Sequence, residues 1–277
     1  MSQSVIRVGV EAVAVCGPGL PDWVSGHPVL AGIQPYRSAP VVLQPPPHLS
    51  AAERRRAIPS VKLALTVGMA AVAQSGIDPA TLPAVFASSG ADAETITAVL
   101  SALATPEREV SPTRFHNSVH NAPSGYWGIA LQSREAVTSV SCYDASFAAG
   151  LLEAAVQAVT AGRPTLLVAY DLPYPHPLDG PRRIDSTFGA ALVLSSAPSD
   201  RALAALQLRL NPGIASPSIA NPCNGASVCS DRGLEALRRG NPAARSLPLL
   251  AVLAGSSTGC VRLDLSHGAV DVEVAPC

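Results

Sequence analysis

Cys142 stands where a protein could carry a nucleophile. It follows a short apolar β-type run, Val137 to Ser141, and precedes a run rich in Ala and Leu, Ser146 to Ala161, that is typical of a helix. Gly162 ends that helix in the sequence pattern. A sharp turn between a strand and a helix is where many α/β enzymes place a nucleophile, because free N–H groups at the helix N-terminus favour an anion. The pattern therefore predicts an α/β enzyme-like corner at residues 142–145.

Two histidines could assist a thiol or bind a metal. His116 and His120 are four residues apart, so a continuous helix would place both on one face. Such a pair could bind zinc, but the glutamate of the H-E-x-x-H motif is missing. We predict no metal site, and structural hydrogen bonds for both histidines rather than catalysis.

Composition excludes several classes of protein. The net charge is −1, which leaves no basic surface for nucleic acid. No apolar run reaches the roughly 18 residues that cross a bilayer. The first residues lack the form of a signal peptide, so we expect a cytoplasmic protein with no membrane span. Hydrophobic residues make up 48% and charged residues 14%, which favours a large core or a large subunit interface.

The cysteines show no motif spacing. The chain has six cysteines: Cys16, Cys142, Cys223, Cys229, Cys260 and Cys277. No C-x-x-C pair occurs, so we predict reduced thiols in the cytoplasm, although the last four of these cysteines could form a disulfide or bind zinc. The segment 211–231 is low in charge and rich in Pro, Ser and Asn, and we expect it to be a mobile loop.

Four stretches carry a resemblance to a known family. They read VTSVSCYDASFAAGLLEAAVQAVTAG, PSVKLAL, FHNSVHNAPSGYW and NPAARSLPLLAVLAG. Together they resemble the β-ketoacyl synthases of the thiolase superfamily. The segment FHNSVHNAPSGYW resembles the corresponding segment of the short chain-length-factor-like subunits of aryl-polyene and related biosynthetic clusters. The resemblance implies an α/β, thiolase-like fold in a single domain 1–277, with a largely complete core layer 1–195 and a reduced C-terminal part 196–277.

The resemblance also implies that the catalytic groups of the family are missing. Aligning the Ala161-Gly162 helix end places the family's nucleophile at Asp144 or Ala145, so Cys142 falls two or three residues early. The family's two histidine motifs are not found after residue 195, where His267 lacks the rest of the motif. We therefore expect no catalytic residue, and Cys142, His116 and His120 remain as weak candidates. Asp144 could instead cap the following helix.

The function implied is that of a non-catalytic partner subunit. It would pair with a true ketosynthase, meet the acyl carrier protein through that partner, need no cofactor, and shape the pocket for a growing chain in polyene, polyketide or fatty-acid-like biosynthesis. The predicted tunnel residues are Tyr143, Phe147 and Gly150, with Tyr143 and Phe147 stacked on one helix face. The predicted interface residues are Phe115, His116, His120 and Trp127. The alternative is a self-sufficient acyltransferase or condensing enzyme that uses Cys142 with His116 or His120.

Overall fold

Strands and helices alternate through most of the chain, as the sequence predicts. The computed structural model describes residues 5–211, 223 and 227–277. The strands are β1 (Val5–Cys16), β2 (Ala84–Ala87), β3 (Val137–Val140), β4 (Thr165–Asp171), β5 (Phe188–Ser195), β6 (Ala204–Asn211), β7 (Gly259–Asp264) and β8 (Ala269–Pro276). The helices are α1 (Trp23–Leu30), α2 (Ala51–Arg56), α3 (Pro59–Ser75), α4 (Ala93–Leu103), α5 (Pro112–Asn117), α6 (Ala122–Leu131), α7 (Ser146–Ala161), α8 (Arg232–Gly240) and α9 (Leu247–Gly255).

The strands form one mixed sheet in the described residues. Its order is β3-β2-β4-β5-β1-β6-β8-β7. β2 runs parallel to β3 and β4, and the remaining neighbours are antiparallel. The first five positions are filled by strands from residues 5–195, and β6, β8 and β7 extend the sheet beyond β1. The predicted α/β class is confirmed, whereas the division at residue 195 stays a prediction.

Two apolar cores cover the two faces of the sheet. On one face, α3 lies against the central strands and beneath α6, which explains why its sequence is apolar nearly all round. On the other face, α7 and α9 share a core with the C-terminal strands. Small residues let α7 lie close to the sheet: a Cβ added at Gly150 would come within 2.6 Å of the Ala87 Cβ atom. The core therefore fixes where the first turn of α7 sits.

Helices begin and end at the proline and glycine residues that the sequence analysis would select. α2 and α3 are separate helices, and Pro59 occupies the first turn of α3. Gly76 ends α3 with φ +71°, and Gly162 ends α7 with φ +63°, a conformation that glycine adopts without a steric cost. These glycines fix the lengths of the two helices that flank the sheet.

The prediction of six reduced thiols is wrong for one pair. Cys223 and Cys260 form a disulfide whose Cα atoms are 5.5 Å apart, within the usual range for such a bond. The two residues are 37 positions apart, so spacing alone does not reveal that β7 brings Cys260 beside Cys223. The other four cysteines are free. Most of the predicted 211–231 loop, residues 212–222 and 224–226, lies outside the described residues.

β3 ends the sheet on one side. No strand of the described chain pairs with its outer edge, and Val137 at its start is exposed. Its backbone groups on that side are free to pair with another chain. Within the same described residues, no helix is long and apolar enough to cross a membrane.

Candidate functional site

The corner between β3 and α7 is held by backbone-directed hydrogen bonds. After Cys142, the residues Tyr143 to Ala145 form a single 3₁₀ turn, and α7 begins at Ser146. The Cys142 N–H donates to the Ser146 Oγ atom at 2.9 Å, and that hydroxyl donates to the Tyr143 carbonyl at 2.7 Å. Tyr143 has φ +50°, which costs energy for a residue with a Cβ. A sharp corner is therefore present, and Ala145 is the residue directly before the helix.

Asp144 does not cap α7, contrary to the sequence expectation. Its carboxylate accepts hydrogen bonds from Arg182 Nη2 at 2.7 Å and from Arg245 Nη2 at 3.0 Å. The Ser146 hydroxyl already bonds within the corner, and no side chain of the described residues caps the helix. Two guanidinium groups stabilise a carboxylate more strongly than exposed helix N–H groups do, which explains why Asp144 turns away.

Arginines also fill the space beyond the first turn of α7. The guanidinium of Arg182 lies 3.8 Å from the ring centroid of Tyr143. Asp144, Ala145 and Phe147 share a small cavity with Arg238, Arg245 and Arg262, and only about 20 Å³ of it is open to the centre of a water-sized sphere. On this side of the corner, the arginine side chains leave little open space, whereas Asp144 and Ala145 also line a larger, shallow cavity beside Cys142.

Cys142 is half-buried and has no histidine partner among its recorded contacts. Its Sγ atom lies 3.5 Å from the Ser266 Oγ atom, beside a shallow cavity of about 160 Å³ that Arg245 and Asp264 also line. A thiol needs a nearby base or cation to become a good nucleophile. Its hydrogen-bond partner among the described residues is a hydroxyl, and the guanidinium of Arg245 is paired with Asp144.

The two histidines do not share a helix face, so that prediction is wrong. α5 ends at Asn117, and His120 lies in the turn before α6. The His116 ring meets the Tyr126 ring edge-on at 6.2 Å between centroids, whereas His120 Nε2 lies 3.1 Å from the Ser88 carbonyl oxygen. Each histidine thus has its own structural contact. In the described chain, no group of three or more His, Cys, Asp or Glu residues could hold a metal ion.

The three predicted tunnel residues do not line a common space. Tyr143 lies before α7 and is 59% exposed, whereas Phe147 is 1% exposed and belongs to the core. The expected stacking of these two rings is therefore wrong, because the helix begins three residues after Tyr143. Gly150 faces Ala87 and Leu167 closely. Of the three, only Tyr143 is accessible from outside.

α5 and α6 carry an apolar groove of about 450 Å³, which we call the α5–α6 groove. Its exposed apolar side chains are Phe115, Val119 and Ile129, at 66%, 48% and 52% exposure. The other lining residues are Pro112, His116, Asn121, Ala122, Gly125 and Tyr126. α6 also packs against the edge strand β3. Trp127, predicted to lie at the interface, is instead fully buried with its ring against Phe86, so it makes no surface.

Asp171 at the end of β4 connects several strand ends, a role that no sequence pattern predicts. Its Oδ1 atom accepts from the Ser88 hydroxyl at 3.1 Å, and from the Ser89 N–H and hydroxyl at 2.9 and 2.7 Å. The Ser89 carbonyl in turn accepts from Ser141 at 3.2 Å, directly before the corner. Burial raises the pKa of the Asp171 carboxyl to about 6, although the hydrogen bonds from Ser89 and Ser88 act in the opposite direction.

The sequence of the chain matches a family model over most of its length. Residues 31–228 match the β-ketoacyl synthase N-terminal domain. The chain belongs to the β-ketoacyl synthase family. The predicted family resemblance is thereby confirmed, whereas no curated protein sequence matches the chain.

Solved ketosynthase structures share the fold. One similar chain comes from a complex of the ketosynthase ApeO with its chain length factor ApeC from Xenorhabdus doucetiae, with 19% identity, a TM-score of 0.69, and coverage of 97% of this chain and 99% of that one. A chain of the ishigamide ketosynthase/chain length factor gives 15% identity, a TM-score of 0.70, and coverage of 97% and 98%. A third similar chain comes from a type II polyketide synthase acyl-carrier protein in complex with its ketosynthase. It has 11% identity, a TM-score of 0.70, and coverage of 99% of this chain and 100% of that one. At these identities the likeness shows the thiolase-like fold, which confirms the predicted fold class.

Proposed function

We propose that this chain is a non-catalytic, chain-length-factor-like partner subunit of a β-ketoacyl synthase. The observation that carries the proposal is Ala145, which directly precedes α7 at the corner where the family resemblance places the nucleophile. A methyl group cannot accept an acyl chain, and the neighbouring Asp144 is held by two arginines. The corner keeps its shape without the group that would do the chemistry.

The histidines of the chain support the same conclusion. Decarboxylative condensation needs groups that stabilise the enolate formed when CO2 leaves. His116 contacts the Tyr126 ring and His120 contacts the Ser88 carbonyl, whereas the thiol of Cys142 contacts Ser266. The thiol and the histidine pair would therefore come from the partner subunit.

The partner surface is the β3 edge together with the α5–α6 groove. An open strand edge beside exposed Phe115, Val119 and Ile129 offers backbone hydrogen bonds and apolar area in one place. Two of the similar structures are described as ketosynthase and chain length factor together, and a third as a ketosynthase with its acyl-carrier protein. By analogy, we infer that a ketosynthase covers this surface and that the carrier protein meets the complex through that ketosynthase.

The chain would influence the length of the product by shaping the end of the pocket that holds the growing acyl chain. Tyr143 is the predicted tunnel residue that can reach such a pocket, because Phe147 and Gly150 are packed inside this chain. The pathway would be polyene, polyketide or fatty-acid-like. The enzyme alternative, in which Cys142 works with His116 or His120, is disfavoured by the separate contacts of these three side chains.

The test compares this chain alone, a candidate ketosynthase alone, and the co-expressed pair. We expect condensation of malonyl units on a carrier protein from the pair, and an acyl mass increase on the ketosynthase thiol but not on this chain. The Cys142→Ala chain serves as the control for unspecific thiol labelling. Acylation of the isolated wild-type chain, lost in that control, would contradict the proposal and support the enzyme alternative.

A further inference from the structure

Two buried residues, each with one polar atom that lacks a partner in the described part of the chain, line the same small cavity. Ser60 and Asp171 are each 3% exposed, and neither the Ser60 Oγ atom nor the Asp171 Oδ2 atom has a hydrogen-bond partner among the residues that the structure describes. Both residues line a cavity between the start of α3 and the end of β4. A buried polar group left unpaired is costly, so native proteins rarely retain two of them side by side.

The cavity has the size of one water molecule. About 10 Å³ is open to the centre of a water-sized sphere, which is the lower limit for holding one water and too little for two. An internal water needs two to four polar partners. A carboxylate oxygen that accepts and a hydroxyl that donates or accepts meet that need.

The start of α3 adds a favourable field at this point. The helix has 17 residues, and its N-cap Ile58 offers no side-chain cap. First-turn N–H groups have no partner within a helix, and the positive end of the helix dipole favours the nearby Asp171 carboxylate. The cavity is therefore polar on the α3 side as well as on the β4 side.

We propose that this cavity binds one ordered water molecule between Ser60 and Asp171. The water donates one hydrogen bond to Asp171 Oδ2 and makes another with Ser60 Oγ. It completes the set of bonds around Asp171, whose other oxygen holds Ser88 and Ser89. Because Ser88 and Ser89 also contact His120 and Ser141, the water helps to position both the turn before α6 and the corner.

A crystal structure of the full chain tests the site directly. We expect one density peak within hydrogen-bond distance of both Ser60 Oγ and Asp171 Oδ2. Direct contact between the two side chains with no peak would overturn the proposal. A rubidium soak that gives anomalous signal at the peak would also overturn it, because the ligand would then be a monovalent cation.

The direction of the Tm change caused by one substitution provides an independent test. Ser60→Ala removes a water ligand, so we expect its Tm to fall by about 2 °C or more relative to Ser101→Ala, a control for helix propensity on the exposed part of α4. If the cavity is dry, Ser60→Ala removes an unpaired hydroxyl and the Tm stays equal to or above that of the control. That result would refute the proposal even without a crystal structure.

Discussion

Arg182 lies over Tyr143, with 3.8 Å between the guanidinium carbon and the ring centroid. The same arginine donates to Asp144, so one side chain covers two consecutive residues of the corner. The contact fixes an exposed aromatic ring at the corner between β3 and α7. Tyr143 is thus ordered by a charge rather than by burial in the core.

Replacing Tyr143 should change products without unfolding the chain. Tyr143→Ala loses an exposed cation–π contact, about 0.5–1 kcal/mol, and we expect the co-expressed ketosynthase pair to make longer products. Phe147→Ala should instead lower the free energy of unfolding by about 3–5 kcal/mol, because it empties a core position. Urea unfolding and product mass profiles provide the two readouts. An unchanged length distribution from a correctly paired Tyr143→Ala complex would rule out a measuring role for this corner.

A charge at Phe115 should separate the subunits. Phe115→Asp would bury an unpaired carboxylate in the proposed interface, which costs several kcal/mol. We expect loss of co-purification with the ketosynthase and an unchanged Tm of the isolated chain. Val24→Asp is the matched control, since Val24 is 83% exposed on α1, a helix that packs against α9. If both variants pair equally well, the α5–α6 groove is not the contact surface.

Filling the α5–α6 groove at Gly125 should weaken pairing while stabilising the chain. A Cβ added at Gly125 meets nothing within 4 Å, so the position has room for a side chain. Gly125→Ala and Gly125→Leu should each raise the free energy of unfolding by up to about 1 kcal/mol through helix propensity. Only the leucine fills the groove, and we expect it alone to lower the affinity for the ketosynthase in titration calorimetry. Equal affinities for the two variants would show that the groove stays empty in the complex.

Removing the thiol at Cys142 should leave condensation by the pair nearly intact. The Sγ atom has Ser266 as its recorded partner, and alanine keeps the backbone of the corner. The measurement is the rate of product formation by the purified pair, with the active-site cysteine of the ketosynthase replaced as the negative control. Complete loss of activity in a folded, paired Cys142→Ala complex would assign the nucleophile to this chain.

Stability should depend on pH through Asp171. Its pKa is raised from about 3.8 to about 6 by burial, so the native state holds a proton that the unfolded state has released between these values. The contribution of Asp171 to the free energy of unfolding is therefore most favourable below about pH 4, falls as the pH rises from about 4 to about 6, and is lower by about 3 kcal/mol above that range. The other titratable or charged groups near the Asp171 carboxyl are those of Asp92, Tyr170, Tyr174 and Arg182. Asp171→Asn should remove most of this fall in urea unfolding measured from pH 4 to 8. A slope that persists in the variant would assign the titration to another group.

Local signals in the sequence predicted the elements, and long-range contacts decided the site. Pro59, Gly76 and Gly162 act through their own backbone, so the starts and ends of α3 and α7 could be predicted. Arg182 and Arg245 are 38 and 101 residues from Asp144, and no periodicity or motif connects them. The capping prediction failed because a local rule was applied to a carboxylate with better distant partners.

The histidine pair shows the same limit in another form. Spacing at i and i+4 predicts a shared face only while the helix continues, and α5 ends after Asn117. Likewise, the family resemblance placed Trp127 at a contact surface, but Gly68 on α3 leaves a space that the indole ring fills. Hydrophobicity predicts burial, and only the packing of neighbouring helices tells whether the burial is internal or shared between chains.

Because the edge of β3 is open, the amount of this chain relative to its proposed partner should affect how it behaves in the cell. A free strand edge flanked by apolar side chains can recruit any compatible strand, including one from another copy of the chain. Chains made in excess of the proposed partner would therefore be prone to self-association and to removal by quality control. Coupled production of both subunits, as from one transcript, would keep this edge covered from the time of folding.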